Sequence, residues 1–270
     1  MRIAILADIH GNPLALDAVL ADINQRGGVD GYWILGDLCA IGYDPAGVLE
    51  RLVRLPNTLF VRGNHDRLLV TGERPRPGLE QVRENPDQIP LLAEVAGNFG
   101  WTVGYLAATG WLDWLGKLPL EQLVTLPNGE RALLVHAAPG TDDGEGLNPA
   151  LSDGELQTAL AESSADLICV GHFHVAMDRR LNGTHIINPG CVSNPLAGDL
   201  RAAYALLDAT HTDYTVTFHR VDYDRAAAIE ATQRSGNPGT DFMVRFLQGE
   251  IHADWMAQWD GQTHYPPITE

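Results

Sequence analysis

The sequence predicts an α/β protein built largely on parallel strands, and two observations lead to this fold class. Short apolar runs, typical of strands that are buried on both faces, recur along the chain. Stretches with helical spacing of their apolar residues separate these runs, and strand–helix–strand alternation is typical of βαβ units. With 270 residues, 45% of them hydrophobic, the chain can bury the core of one sizeable domain.

Each predicted strand has Gly, Asp, His or Asn at its end or directly before its last residue. They are the runs RIAILAD (2–8), GYWILGD (31–37), NTLFVRG (57–63), RALLVHA (131–137), ADLICVG (165–171) and THIINPG (184–190). The first run is short and leads directly into polar residues, so we expect a strand there and no signal peptide. Residues 201–224 indicate two further strands around a polar turn, which predicts an antiparallel section that closes the fold.

Helices are predicted between the first strands. Leu16, Val19, Leu20 and Ile23 follow the i, i+3, i+4, i+7 spacing of a buried helical face. The stretch DPAGVLERLVRL has Pro45 near its start, a position that favours the beginning of a helix. Both stretches follow a predicted strand, as expected for a βαβ unit.

Two segments interrupt this alternation. Residues 71–128 begin with the turn-rich stretch TGERPRPG and continue with helical patches, so we predict a helical insertion that walls one end of the sheet. Residues 236–270 begin within the turn-rich stretch SGNPG (235–239) and form a C-terminal extension. Its packing on the core and its packing on a second subunit of a homo-oligomer both stay open. The main domain is accordingly expected to span residues 1–235.

Composition excludes several classes of protein. The formal net charge of −17 repels polyanions, so we expect no binding to nucleic-acid polymers. No apolar stretch approaches 18 residues, so we expect no membrane partner. The cysteines Cys39, Cys169 and Cys191 are odd in number and widely spaced, which argues against a disulfide framework and favours a cytoplasmic location.

Residues capable of binding metal follow successive predicted strands. They are Asp8, His10, Asp37, Asn64, His65, His136, His172 and His174. In an open parallel sheet, ligands bind beyond the carboxyl ends of the strands. Side chains two residues apart on an extended segment point the same way, so Asp8 with His10, and His172 with His174, would each offer two ligands from one strand end.

Each of these signals has a structural alternative when taken alone. Asp8 is in a position typical of a helix cap or turn, and His136 could be a hydrogen-bonded core histidine. The GNHD stretch, residues 63–66, could be only a turn. Because metal-capable residues follow five successive apolar runs at the same class of position, the whole set favours a metal site.

The motifs together resemble a known family. DIHGN (8–12), GDL (36–38), GNHD (63–66), VHAAP (135–139) and GHFH (171–174) resemble the calcineurin-like metallophosphoesterase superfamily. NPGCVSNP (188–195), followed by RAAYALLD (201–208), is similar to its small bacterial YfcE-like phosphodiesterase branch. The resemblance implies a two-sheet β-sandwich flanked by helices, a four-layer αββα fold, with a dinuclear metal centre.

The resemblance also implies roles for individual residues. One metal would take Asp8, His10 and His174, the other Asn64, His136 and His172, with Asp37 bridging both. Two divalent transition-metal ions are implied, with Mn as the first expectation and Fe, Zn, Co or Ni as alternatives. A hydroxide bridging them would attack phosphorus, and His65 would act as a catalytic residue that binds no metal. Asn12 and Arg62 are candidate substrate contacts.

One departure from the family pattern bears on the substrate. Phosphoprotein phosphatases of the superfamily carry G-D-x-x-D-R-G, whereas this chain has Ala40 and Ile41 in place of the second Asp and the Arg. The loss of that Arg favours small phosphodiesters, with cyclic nucleotides as the leading substrates. The alternatives are a phosphomonoesterase acting on small phosphorylated metabolites and a catalytically silent metal-binding scaffold. A nuclease is disfavoured by the acidic charge.

Overall fold

Two β-sheets packed face to face form the centre of the computed structural model, which describes residues 1–75, 77–196, 198–251 and 254–269. The strands are β1 (Arg2–Leu6), β2 (Gly31–Ile34), β3 (Thr58–Phe60), β4 (Glu121–Thr125), β5 (Arg131–Val135), β6 (Leu167–Cys169), β7 (Ala176–Leu181), β8 (Thr184–Pro189), β9 (Ala202–Ala209), β10 (Tyr214–Val221) and β11 (Ile268–Thr269). All six predicted apolar runs and the predicted antiparallel pair form strands.

Both sheets are mixed. The first sheet has the order β11-β10-β9-β1-β2-β3, and the second has the order β4-β5-β6-β8-β7. β1, β2 and β3 are parallel, as are β5, β6 and β8. β9 runs antiparallel to β1 and to β10, and β4 and β7 are antiparallel to their neighbours. The carboxyl ends of the two parallel sets carry the loops that form the candidate site.

The first strand shows why its sequence is apolar without interruption. Ile3 and Ile5 belong to the core between the two sheets, whereas Ala4 and Leu6 belong to the core between the first sheet and its helices. Since both faces of the strand are buried, no polar residue alternates with the apolar ones.

Helices cover the outer faces of both sheets. They are α1 (Pro13–Gln25), α2 (Pro45–Leu52), α3 (Asn64–Thr71), α4 (Leu79–Glu84), α5 (Ile89–Thr109), α6 (Leu112–Leu115), α7 (Asp153–Ala159), α8 (Arg225–Arg234) and α9 (Thr240–Gln248). α1, α2, α5 and α9 contribute to the core beneath the first sheet, and α7 to the core beneath the second. The predicted αββα architecture is confirmed.

The helical insertion is shorter than predicted. Helices occupy its middle, from Leu79 to Leu115, but residues 121–125 form β4, the edge strand of the second sheet. β4 alternates between half-buried and exposed residues and is only five residues long, so its sequence carried little strand signal. The edge strand β7, with the sequence AMDRRL, also lacks a continuous apolar run, although Ala176, Met177 and Arg179 are buried.

The described parts of the C-terminal extension pack on the same chain. Met243 and Phe246 of α9 enter the core beneath the first sheet, and β11 pairs with β10 at the edge of that sheet. Within the residues that the structure describes, no helix has the length and apolar character needed to cross a bilayer.

Candidate metal centre

The predicted ligands follow β1, β2, β3, β5 and β6, and the structure brings most of them together. Ligand atoms of Asp8, His10 and His174 lie within 4.8 Å of one another, as do those of Asp8, Asp37 and His136. A third group of this kind joins His10 and Asp37 with His65. Asp8, His10 and Asp37 each occur in two of these groups. The Asp37 carboxylate also lies within 3.8 Å of ring nitrogens of His10, His65 and His136, which places it at the centre of the cluster.

The backbone of these residues is unusual. Asp8, His10, Asp37, His172 and His174 have φ values of 55°, 47°, 55°, 71° and 57°. Left-handed conformations are uncommon in residues other than glycine, and they persist where surrounding contacts enforce them. The expected extended geometry of the Asp8/His10 and His172/His174 pairs is therefore wrong. A left-handed turn, and not a continued strand, directs each pair into the site.

Glycines allow the loops to approach closely. Gly36 has φ +90°, and a Cβ there would lie 2.4 Å from the amide nitrogen of Gly63. A Cβ on Gly63 would lie 2.0 Å from Oδ1 of Asp37. Both distances are far below van der Waals contact. The glycines of the GDL and GNHD motifs thus provide the space in which Asp37 sits.

Backbone carbonyl groups orient three of the imidazoles. Nδ1 of His10 lies 2.8 Å from the Ala40 oxygen, Nδ1 of His136 lies 2.6 Å from the Leu35 oxygen, and Nδ1 of His174 lies 2.6 Å from the Asn194 oxygen. A carbonyl oxygen only accepts hydrogen bonds, so each Nδ1 carries a proton. In a neutral ring, Nε2 then presents its lone pair to the centre of the site, as a metal-binding histidine does.

One contact tests whether the cluster suits a cation. Nε2 of His10 lies 3.1 Å from Nε2 of His174. Burial lowers the pKa of both imidazoles, that of His174 to about 4 and that of His10 well below its usual range. Both rings are therefore neutral at pH 7, and two lone pairs face each other. A cation bound by both nitrogens would turn this repulsion into attraction, so the donor set fits a divalent metal.

The buried carboxylates support the same conclusion. Burial raises the pKa of Asp8 to about 8, although the amide of His172 donates to both of its oxygens, at 3.2 and 3.1 Å. Burial would also raise the pKa of Asp37, but the imidazoles of His65 and His136 hold it well below its usual range. Carboxylates in such a site require positive charge nearby.

The second predicted ligand set is assembled less tightly than the first. Oδ1 of Asn64 lies 3.2 Å from Nε2 of His136. The ring centroids of His136 and His172 are 5.2 Å apart, and Nε2 of His172 lies 3.0 Å from the Gly144 oxygen. This bond leaves Nδ1 as the free ring nitrogen of His172. His172 belongs to none of the three ligand groups found among the described residues.

His65 lies beside Asp37 at the start of α3. Its amide donates to Oδ1 of Asp37 at 3.0 Å, and its Nδ1, which has no hydrogen-bond partner, lies 3.3 Å from Oδ2. Its ring packs perpendicular to that of Phe99 of α5, at a centroid distance of 5.4 Å. The neighbouring Asp66 accepts from the amides of Gly63, Asp37 and Leu38, at 2.9, 2.9 and 3.0 Å. The Asp66 carboxylate therefore caps α3 and also holds the loop that carries Asp37.

The two predicted substrate contacts have structural roles. Asn12 is only 1% exposed, its Oδ1 caps α1 by accepting from the Ala15 amide, and its Nδ2 donates to Oγ of Ser193. Nε of Arg62 donates to Asp142 at 2.7 Å, and this carboxylate also accepts from Arg67. Substrate contact by Asn12 or Arg62 stays a prediction. The Arg62 pair fixes the loop after β5.

Sequence reasoning missed residues that support the site through their backbone. The carbonyls of Ala40, Leu35, Asn194 and Gly144 hold the four imidazoles. Asn194 lies in the NPGCVSNP motif, which sequence analysis singled out, whereas the other three are ordinary loop or strand-end residues.

An open cavity of about 850 Å³ adjoins the site, with Asn64, Arg74, Thr141 and Gly144 in its lining.

Comparisons with known proteins agree with this geometry. The model of the calcineurin-like phosphoesterase superfamily domain matches residues 1–212. An uncharacterised protein of Methanocaldococcus jannaschii is 30% identical over 254 residues, which cover 87% of this chain and 93% of that protein. A protein of Paracidovorax citrulli named bis(5'-nucleosyl)-tetraphosphatase, symmetrical, is 28% identical over 261 residues, 94% of this chain and 81% of that one.

Solved structures share the fold. A metallophosphoesterase from Sphaerobacter thermophilus has a TM-score of 0.72 and 29% identity, covering 93% of this chain and 100% of that chain. A hypothetical protein from Pyrococcus horikoshii has a TM-score of 0.77 and 20% identity, covering 93% of this chain and 99% of its own. The family match spans most of the residues that form the two sheets and includes every predicted ligand. The chain therefore belongs to the calcineurin-like phosphoesterase superfamily.

Proposed function

We propose that the chain is a metal-dependent hydrolase of small phosphodiesters, with cyclic nucleotides as the leading substrates. The observation that carries this proposal is the cluster around Asp37, where buried carboxylates and imidazoles converge with His65 beside them and an open cavity adjacent. A buried cluster of this composition suits divalent transition metals better than it suits any structural role.

The chain's own residues would share the work of holding two cations. Asp8, His10 and His174 would hold one, Asn64, His136 and His172 the other, and Asp37 would lie between them. When bound, such a pair of divalent ions, Mn²⁺ being the first expectation, neutralises phosphate oxygens and acidifies water at the site. The carbonyl partners of the imidazoles would keep each ligating nitrogen in place before the cations arrive.

His65 would act on the leaving group. Its Nδ1 faces Asp37 at 3.3 Å, so Nε2 is the ring nitrogen that remains for the substrate. Phe99, packed perpendicular to this ring, limits the rotation of the His65 side chain. A ring held in this way can donate a proton to the departing alkoxide, which is general acid catalysis.

The charge of the surroundings favours a diester over a monoester. Ala40 and Ile41 are buried, so the second motif places no charged side chain at the phosphate. Arg67 lines the cavity but is paired with Asp142, Asp143 and Glu73. A diester carries one negative charge and needs fewer cationic partners than a doubly charged monoester.

A second candidate substrate class is the nucleoside polyphosphates. The relative from Paracidovorax citrulli carries the name of a tetraphosphatase, and a cavity of about 850 Å³ is large enough for a substrate bigger than a cyclic nucleotide. Arg74 lines this cavity, and its guanidinium donates to the backbone oxygens of Gly72 and Glu73 and has no carboxylate partner among the described residues. It is available to contact an additional phosphate.

Turnover of bis-p-nitrophenyl phosphate by metal-free protein reloaded with Mn²⁺, Co²⁺, Ni²⁺ or Zn²⁺ tests the proposal. Cyclic nucleotides, a dinucleoside tetraphosphate and p-nitrophenyl phosphate, assayed in parallel, separate diesterase, polyphosphatase and monoesterase. His65→Gln protein purified in the same way controls for a contaminating hydrolase. Absence of turnover of every substrate with all four metals would overturn the proposal.

A further inference from the structure

Ile41 has a left-handed backbone conformation, which its β-branched side chain disfavours. Its φ is +61°, and a left-handed conformation is a genuine outlier for a β-branched residue. Ile41 is buried, and two asparagines hold its peptide groups. The Ile41 amide donates to Oδ1 of Asn98 at 3.3 Å, and its carbonyl accepts from Nδ2 of Asn194 at 3.0 Å.

Both neighbours of this peptide orient an imidazole of the metal centre. The carbonyl of Ala40, the residue before Ile41, accepts from Nδ1 of His10 at 2.8 Å. The carbonyl of Asn194 accepts from Nδ1 of His174 at 2.6 Å. The two rings whose Nε2 atoms face each other at 3.1 Å therefore both depend on the position of the Ile41 peptide.

Asn98 is itself fixed from the opposite side. It lies on α5, in the insertion, is 1% exposed, and its Nδ2 donates to Oδ1 of Asn237 at 3.2 Å. A Cβ on Gly239 would lie 2.8 Å from Cβ of Asn98, so the loop between α8 and α9 packs directly against it. The Asn98 side chain thus connects the loop between α8 and α9 to the loop that carries Ile41.

We propose that Asn98 is a positioning residue for the first cation site, formed by Asp8, His10 and His174. By accepting from the Ile41 amide, it keeps Ile41 left-handed, and this sets the carbonyl of Ala40 and, through Asn194, the ring of His174. The inference rests on the metal-binding role of His10 and His174 in the proposed function. Through Asn98 the helical insertion would help to position ligands of the metal centre, although Asn98 itself would contact neither substrate nor cation.

Calorimetric titration of metal-free protein with Mn²⁺ tests this role. Asn98→Leu removes the acceptor at similar volume, and we expect one of two binding events to weaken by about 10–100-fold while the other is unchanged. In Asn98→Leu/Ile41→Gly, glycine adopts the left-handed conformation without strain, so the lost affinity should return to within about threefold. Urea unfolding should not recover in parallel, because the Gly variant also leaves a cavity.

The outcomes separate this inference from the proposed function. If the unmodified protein binds no Mn²⁺, the proposed function fails. If it binds two ions and Asn98→Leu binds both with unchanged affinity, or if Ile41→Gly restores nothing, the positioning role is wrong. Should Asn98→Leu not fold, Asn98→Ala removes the same acceptor with less crowding and carries the test by the same criteria.

Discussion

The Nε2 atoms of His10 and His174 face each other at 3.1 Å, while Nδ1 of each ring donates to a backbone carbonyl. The carbonyl bonds fix the tautomers, so the two facing nitrogens cannot bond to each other when the rings are neutral. Both residues have a left-handed backbone conformation, which holds the two rings in place although their facing lone pairs repel each other. The fold therefore carries a cost in the metal-free state that cation binding would remove.

Metal removal should destabilise the protein. A ligand at about 100 times its dissociation constant stabilises the folded state by about 2.7 kcal/mol, which for a chain of this size corresponds to a rise in Tm of roughly 5–10 °C. We therefore expect chelator-treated protein to melt that much lower than the same protein with Mn²⁺ added back. Calorimetry of both forms checks this, with Mg²⁺ as the control cation. Identical melting of the two forms would contradict the presence of a buried cation site.

Asp37→Ala should lose both cations. The carboxylate lies 3.8 Å from Nε2 of His10 on one side and 3.5 Å from Nε2 of His136 on the other, so its removal takes one ligand from each proposed site. Elemental analysis after dialysis should find no more than traces of metal. Asp17→Ala, a change at an exposed helical carboxylate, is the control and should retain the full metal content.

His65→Gln should separate catalysis from metal binding. The side chain belongs to neither proposed ligand set, but its Nδ1 lies 3.3 Å from Oδ2 of Asp37. Loss of a general acid typically costs about 10²–10⁴-fold in turnover. We expect kcat to fall by that factor, while elemental analysis still finds two ions per chain. A fully active His65→Gln variant would show that another group protonates the leaving alkoxide.

Much of the fold could be predicted from the sequence, because strands that are buried on both faces leave a clear pattern of apolar residues. Strands such as β1 are covered on both faces from Ile3 to Leu6 and hold only apolar residues there, so their apolar runs are clear in the sequence. The edge strands β4 and β7 both contain polar residues, so neither has a continuous apolar run and their sequences resemble loops. β4 and β7 are the antiparallel strands of the second sheet, and the expectation of largely parallel strands missed them. The antiparallel pair β9 and β10 of the first sheet was predicted.

The candidate site was predictable only as a set of side chains. Parallel strands deliver their carboxyl ends to one edge, which is why Asp8, Asp37 and His136 could be grouped from sequence. Left-handed turns and carbonyl partners such as Ala40 could not be predicted, because any residue supplies a carbonyl group. Asn98 bonds to Ile41 across 57 positions of sequence, and no local pattern indicates that bond.

Gly63→Ala should disrupt the metal centre through steric overlap alone. Gly63 has φ −91° and ψ 172°, which alanine adopts freely, but its Cβ would lie 2.0 Å from Oδ1 of Asp37. We expect Asp37 to be displaced, with at least about a 100-fold loss of kcat/KM. Gly78→Ala is a matched control, because Gly78 also precedes a helix, with φ −95°, and its Cβ would meet only Oε1 of Gln81 at 3.1 Å. Equal activity of the two variants would contradict the close approach of the GDL and GNHD loops.

Asp22 lies outside the metal centre, and Asp22→Asn should alter how the stability of the protein depends on pH. Asp22 accepts from Nε of Arg26 at 2.8 Å and from the hydroxyl of buried Tyr204 at 2.5 Å. Burial would raise the pKa of Asp22, but these two hydrogen bonds hold it below its ordinary value. Since the folded-state pKa is the lower one, the ionised carboxylate stabilises the protein above the unfolded-state pKa. This contribution is lost as the pH falls through the folded-state value.

At pH 7 we expect Asp22→Asn to lower the free energy of unfolding by about 1–2 kcal/mol, because the charge-assisted bonds to Arg26 and Tyr204 become neutral ones. Urea unfolding between pH 7 and pH 3 should show the difference from the unmodified protein shrinking below about pH 4. Asp17→Asn removes a more exposed pair with Arg51 and should change stability by less than about 0.5 kcal/mol. If the Asp22→Asn deficit stayed constant down to pH 3, the ionised carboxylate would not be its source, and loss of packing around Tyr204 would have to explain it.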